Sequence, residues 1–168
     1  MSRLRPGEWV AALGAAGLLV VLFFDWFGVD GRAAGWKAYA PATVHLSGWG
    51  SLGWLMDVLL CIAIFGGASL SYMTIKRTSP AWPIGAAVLT VGLGFVTFIA
   101  LAIRVVTQPG LGLGLDNAPV LVEAPAYLGL LFAALIPLGG FLSLKDERTD
   151  SPEARAYTPP PARPAPGT

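Results

Sequence analysis

The chain has 168 residues, 55% hydrophobic and 12% charged, with a formal net charge of +1. A soluble domain carries about 25% charged residues, so the composition argues against a water-soluble core, and the near-neutral total offers nothing to nucleic acid. One cysteine and one histidine leave zinc and haem without their usual ligand sets, and no cofactor is expected.

Four apolar stretches dominate: residues 9–29, 52–73, 82–106 and 125–144. A helix crosses the hydrocarbon core of a bilayer with about 20 apolar residues, and each stretch meets that length. The first follows Arg3 and Arg5 and has the outline of a signal peptide. Asp25-Trp26-Phe27 stands where small residues and a cleavage site belong, so the stretch reads as a retained first helix. Residues 30–51 form an outer loop with Trp36, Tyr39, His45 and Trp49, and a short interfacial helix is expected around 33–39.

The second stretch carries a row of small residues spaced by four: Ala63, Gly67 and Ser71. Small residues let membrane helices approach closely, so the row is a candidate packing seam, within the bundle or between two copies. Cys61 lies in the same stretch and reads as a small packing residue. The third stretch offers Gly85, Gly92 and Gly94. The fourth offers Gly129, Ala133, Gly139 and Gly140, and Pro137 is expected to kink it. Between these two, residues 107–124 contain Gly110-Leu111-Gly112-Leu113-Gly114-Leu115 and cannot form a regular helix. An extended ribbon fits the alternation, but glycine at every second place weakens a strand. Residues 149–168 end in a proline-rich run, disordered by composition. A solvated tail is favoured there over a polyproline II ligand.

Basic residues set topology. With four crossings both termini share one side, which carries Arg3, Arg5, Lys76, Arg77, Lys145, Arg148, Arg155 and Arg163. The other side carries Arg32, Lys37 and Arg104. The bias puts both termini in the cytoplasm, in the cell (plasma) membrane. The expected fold is therefore all-α: a four-transmembrane-helix bundle over 1–148, N-in and C-in, followed by the tail 149–168.

Ionisable residues inside a bilayer raise the question of a site. Counting a rise of about 1.5 Å per residue places Asp25, Asp57 and Arg104 in the outer part of the bilayer at comparable height. The expectation is an intramembrane ion pair between Asp57 and Arg104, with Asp25 nearby or shared. One reading makes this cluster a proton or cation relay, or the floor of an outward-facing ligand pocket. The favoured reading makes it a staple that holds three helix ends together. No nucleophile–base pair, phosphate loop or pair of carboxylates around a cleft is present, so no catalytic, cofactor-binding or metal residue is assigned.

Four elements, in order, carry a resemblance. Arg5-Pro6-Gly7-Glu8-Trp9 leads into a helix ending Phe24-Asp25-Trp26-Phe27, and Ser47-Gly48-Trp49 precedes Asp57-Val58-Leu59-Leu60. Arg104 is followed by Pro109-Gly110, and Tyr127-Leu128-Gly129-Leu130 runs through Gly139-Gly140 to Lys145-Asp146-Glu147. Over roughly residues 3–148 the chain resembles uncharacterised four-helix (tetraspan) integral membrane proteins of actinobacteria. Asp57 and Arg104 match that group, whereas Asp25 stands where the group has proline. The resemblance implies topology and no activity. The leading expectation is a non-enzymatic membrane subunit or scaffold. Its partners would be the lipid bilayer and a homo-oligomer or larger membrane complex. The alternative is a small transporter or channel-like protein using Asp57 and Arg104.

Overall fold

The computed structural model describes residues 6–30, 43–76, 81–108 and 120–148. They form α1 (Pro6–Val21), β1 (Asp25–Asp30), β2 (Thr43–Ser47), α2 (Gly48–Ser51), α3 (Trp54–Lys76), α4 (Ala81–Thr107), β3 (Val120–Val122) and α5 (Ala124–Arg148). The expected interfacial helix at 33–39 and the tail 149–168 lie outside the described residues.

The protein is mostly helical. Among the described residues, three helices are long and apolar enough to cross a membrane: Trp54–Met73, Gly85–Thr107 and Ala124–Lys145. α1 is also apolar but has only 16 residues. The outward faces are apolar as well: Phe65, Leu89, Val106 and Leu131 are all exposed. Water would penalise so continuous an apolar surface, and lipid does not. This is a multi-pass membrane protein by the length and composition of its helices. Cys61, expected to pack inside, faces outward.

The first apolar stretch is two elements rather than one helix over 9–29. α1 stops at Val21, and its last turn tightens through bonds from Phe23 N to Val20 O (3.2 Å) and Phe24 N to Val21 O (3.0 Å). The chain then continues as β1. Aromatic and β-branched residues suit a strand, and Phe27 and Val29 point into the core. The all-α expectation is corrected by the sheet that results.

That sheet is antiparallel, in the order β2-β1-β3. Gly28 faces His45 on one side and Leu121 on the other; Val29 faces Val44 and Val120. Side chains alternate faces along a strand, so Phe27, Val29 and Val120 lie on the bundle side, all fully or nearly fully buried. His45 and Leu121 lie on the far side and are exposed. Trp26 is completely buried and donates from Nε1 to Val21 O at 2.8 Å. Its ring occupies the space where Gly129 of α5 has no side chain. The sheet thus closes one end of the helices, sharing a core with Leu22, Leu52, Met56, Leu101, Val105 and Ala126. Between α2 and α3 the chain turns at Gly53, whose φ of +87° suits glycine.

α1 and α5 run antiparallel in backbone contact. A Cβ on Gly7 would fall 2.5 Å from Ser143 N, and one on Gly139 would fall 2.6 Å from Gly7 O. Lipid tails supply no hydrophobic drive between helices, so contact of this kind holds the bundle. Two members of the expected row on α3, Gly67 and Ser71, also lie against α1. A Cβ on Gly67 would sit 3.0 Å from Ala11 O, and Ser71 Oγ donates to Glu8 O at 2.8 Å. α1 of the same protomer therefore occupies Gly67 and Ser71, whereas Ala63 lines the space between α3 and α4. α5 continues through Pro137, and a Cβ on Gly94 of α4 would fall 3.1 Å from Pro137 Cδ.

Candidate functional site

Asp57 sits in the first turn of α3, and its N–H bonds Gly53 O at 3.1 Å. Arg104 sits in the last turn of α4. A helix end carries roughly half a unit of charge, positive at the N-terminus and negative at the C-terminus. Each charged side chain therefore lies at the end of its own helix that favours it.

The expected salt bridge between them is absent. Asp57 Oδ1 and Arg104 Nε are both buried and neither has a hydrogen-bond partner. The register of α3 against α4 supplies the reason. Thr90 Oγ1 donates to Gly66 O (3.2 Å) and Thr97 Oγ1 reaches Leu59 O (3.4 Å). On that register Asp57 is level with Ile99, and Arg104 is level with Leu52. Five residues of offset correspond to about 7.5 Å along the axis, which removes the comparable height that pairing required. Asp25 is not in the cluster either. It opens β1 opposite Ser47 and is exposed.

A different polar pair forms on the far face of the sheet. His45 Nδ1 lies 2.7 Å from Glu123 Oε1, bridging β2 and the residue after β3. The two cross over β1 at Gly28, where a Cβ would lie 2.8 Å from Glu123 Oε1 and 3.4 Å from His45 Nδ1. Glu123 is fixed by its own N–H, which bonds Trp26 O at 2.9 Å. A carboxylate at Nδ1 orients the ring and leaves Nε2 outward. In the sequence His45 is a lone loop histidine, and nothing there assigns Glu123 a role. The partners are 78 residues apart, and only the β1–β3 pairing brings them together.

A third orphan, Trp49 Nε1, is buried without a partner, while its ring packs edge-on against Phe23 at 6.0 Å. Among the described residues no group of three or more His, Cys, Asp and Glu is placed to hold a metal ion. No protein-family model, no curated protein and no solved structure matches the chain.

Proposed function

We propose that the protein is a non-enzymatic subunit or scaffold of the plasma membrane, with four spans and both termini cytoplasmic. The filled interior carries this reading. Leu18, Leu60, Leu101 and Ile136 are completely buried, and the hydroxyls of Ser71, Thr90 and Thr97 bond backbone carbonyls. Transport proteins place substrate and ion sites near the bilayer midplane, often on broken helices. Here the polar groups at that depth are hydroxyls occupied by the backbone.

α1 supports a fourth span. It follows α5 from Gly7 beside Ser143 to Gly17 beside Phe132, so it tracks a membrane-length helix despite its 16 residues. The excess of Lys and Arg on the side of both termini supports the orientation. The same architecture suits membership in the actinobacterial tetraspan group, whose quoted residues fall on all four of these helices.

The second reading, a small transporter or channel-like protein, is favoured by one observation. Asp57 Oδ1 and Arg104 Nε are buried and unpartnered, and buried polar groups normally find partners. Native mass spectrometry of the protein, gently extracted with its neighbours, separates the two. A defined co-purifying protein is the expected result. A protomer or homo-oligomer carrying lipid alone would count against the subunit and favour Asp57 and Arg104 as a site.

A further inference from the structure

The sheet leaves one edge open. In the order β2-β1-β3, β2 pairs with β1 alone among the described residues. The N–H and C=O groups on its outer side are a template for a further strand. Edges of this kind are commonly blunted by lysine, proline or a bulge. β2 reads Thr43-Val44-His45-Leu46-Ser47 and holds neither residue, and the irregularity between Asp25 and Phe27 adds its extra residue to β1. The setting of the sheet narrows the occupant. Its inner face shares a core with the ends of α1, α3, α4 and α5 at once: Leu22 follows α1, Met56 is in the first turn of α3, Val105 in the last turn of α4 and Ala126 in the first turn of α5. The sheet therefore lies across the helix axes, and its normal runs close to the membrane normal. Two copies inserted in the same orientation are related by an axis along that normal. A two-fold axis there reverses strand direction and keeps each face of the sheet on its own side. That operation joins two edge strands antiparallel in one sheet.

We propose that two copies of the chain join edge to edge through β2, forming one continuous sheet across both bundles. Full overlap of the strand puts the axis at His45, with Thr43 opposite Ser47 and Val44 opposite Leu46 of the other copy. Antiparallel strands bond at alternate residues, and this register sets odd positions against odd and even against even, so donors meet acceptors. Val44 and Leu46 lie on the bundle side and are half-buried. Each Val44–Leu46 pair covers apolar surface that a single copy leaves exposed. His45 does not crowd the axis, because its ring leans away over β1 to Glu123 Oε1 at 2.7 Å. The contact is isologous and consumes the same edge on both copies, so it closes at two. The inference rests on the membrane reading, which fixes the direction of the axis.

Native mass spectrometry of the full, unaltered chain released from lipid vesicles should give a dimer. Copper-phenanthroline oxidation in the same vesicles locates the contact. In a Cys61→Ala background, His45→Cys should form a covalent dimer, because directly opposed Cα atoms lie about 4.5–5.5 Å apart and a disulfide spans about 4.4–6.8 Å. Leu121→Cys, exposed on the same face of the sheet, should form none. Five strand spacings of about 4.8 Å separate the two β3 strands, roughly 24 Å in all. A monomeric unaltered protein, a folded His45→Cys variant that stays unlinked, or equal linking by Leu121→Cys would each overturn the proposal. The subunit reading fails separately. A dimer with no other protein would leave the edge pairing standing and count against the subunit; a monomer held by another protein would do the reverse.

Discussion

Gly139→Ala probes the backbone contact between α1 and α5. The added Cβ would lie 2.6 Å from Gly7 O and 2.7 Å from Ala11 Cα, with Ala11 N closer still. Ordinary contact begins at 3.4 Å, so α1 has to retreat by roughly 1 Å, and such a gap forfeits a quarter to a half of each facing dispersion well. The obstacles are backbone atoms, which no change of rotamer can move aside. Overpacking of this kind costs about 1–3 kcal/mol. Alanine returns about 1 kcal/mol through its better helix propensity, leaving a net loss of up to about 2 kcal/mol. Gly92→Ala is the matched control. A Cβ there meets nothing within 4 Å, so only the propensity gain of up to about 1 kcal/mol remains. Reversible unfolding in bicelles by steric trapping reads both variants on one scale. Opposite signs are expected. If both alanines stabilised the protein equally, α1 would not lie against Gly139 and the packing argument would fail.

Ser71→Ala removes a buried interhelical bond to Glu8 O and should lose about 0.6 kcal/mol, and at most about 1.7; the same unfolding assay checks it. Asp57→Asn and Arg104→Gln should act additively within about 0.3–0.5 kcal/mol, because the register holds the two apart. A larger coupling in the double-mutant cycle would place them in contact. A His45→Ala/Glu123→Ala cycle should give about 0.2–1 kcal/mol of coupling, typical of an exposed pair. That coupling should vanish in a Gly28→Ala background, because the new methyl displaces Glu123 Oε1 from 2.8 Å. Coupling that survives Gly28→Ala would mean the pair does not cross over β1.

The helices that became α3, α4 and α5 were legible because each is an apolar run of bilayer length, and length alone separates such a helix from a strand. The first run misled for the same reason. Apolar character continues without a break from α1 into β1, and a hydropathy count cannot see the backbone change from one period to another. β3 has three residues and carries no pattern of its own; its strand character comes from pairing with β1. Counting residues from opposite ends of two helices puts Asp57 and Arg104 at one height. Only the hydroxyl contacts of Thr90 and Thr97 set the true offset. Gly139 reads as a small residue in the sequence, but that it faces Gly7 follows from the antiparallel docking of α1 on α5.

The pairing of β1 with β3 also orders events during synthesis. Phe27, Gly28 and Val29 wait for Val122, Leu121 and Val120 across about ninety residues of chain, which a ribosome adds in about 5–18 s. During that interval β1 has a partner on one side at most, and an open strand edge invites pairing with other chains. The notch at Gly129 that receives Trp26 is absent for the same period. β3 and α5 therefore serve together as the closing piece: the one supplies the missing strand and the other the socket for the indole. A chain truncated before β3 would present the unpaired edge and the stranded tryptophan together, as one signal of incomplete assembly.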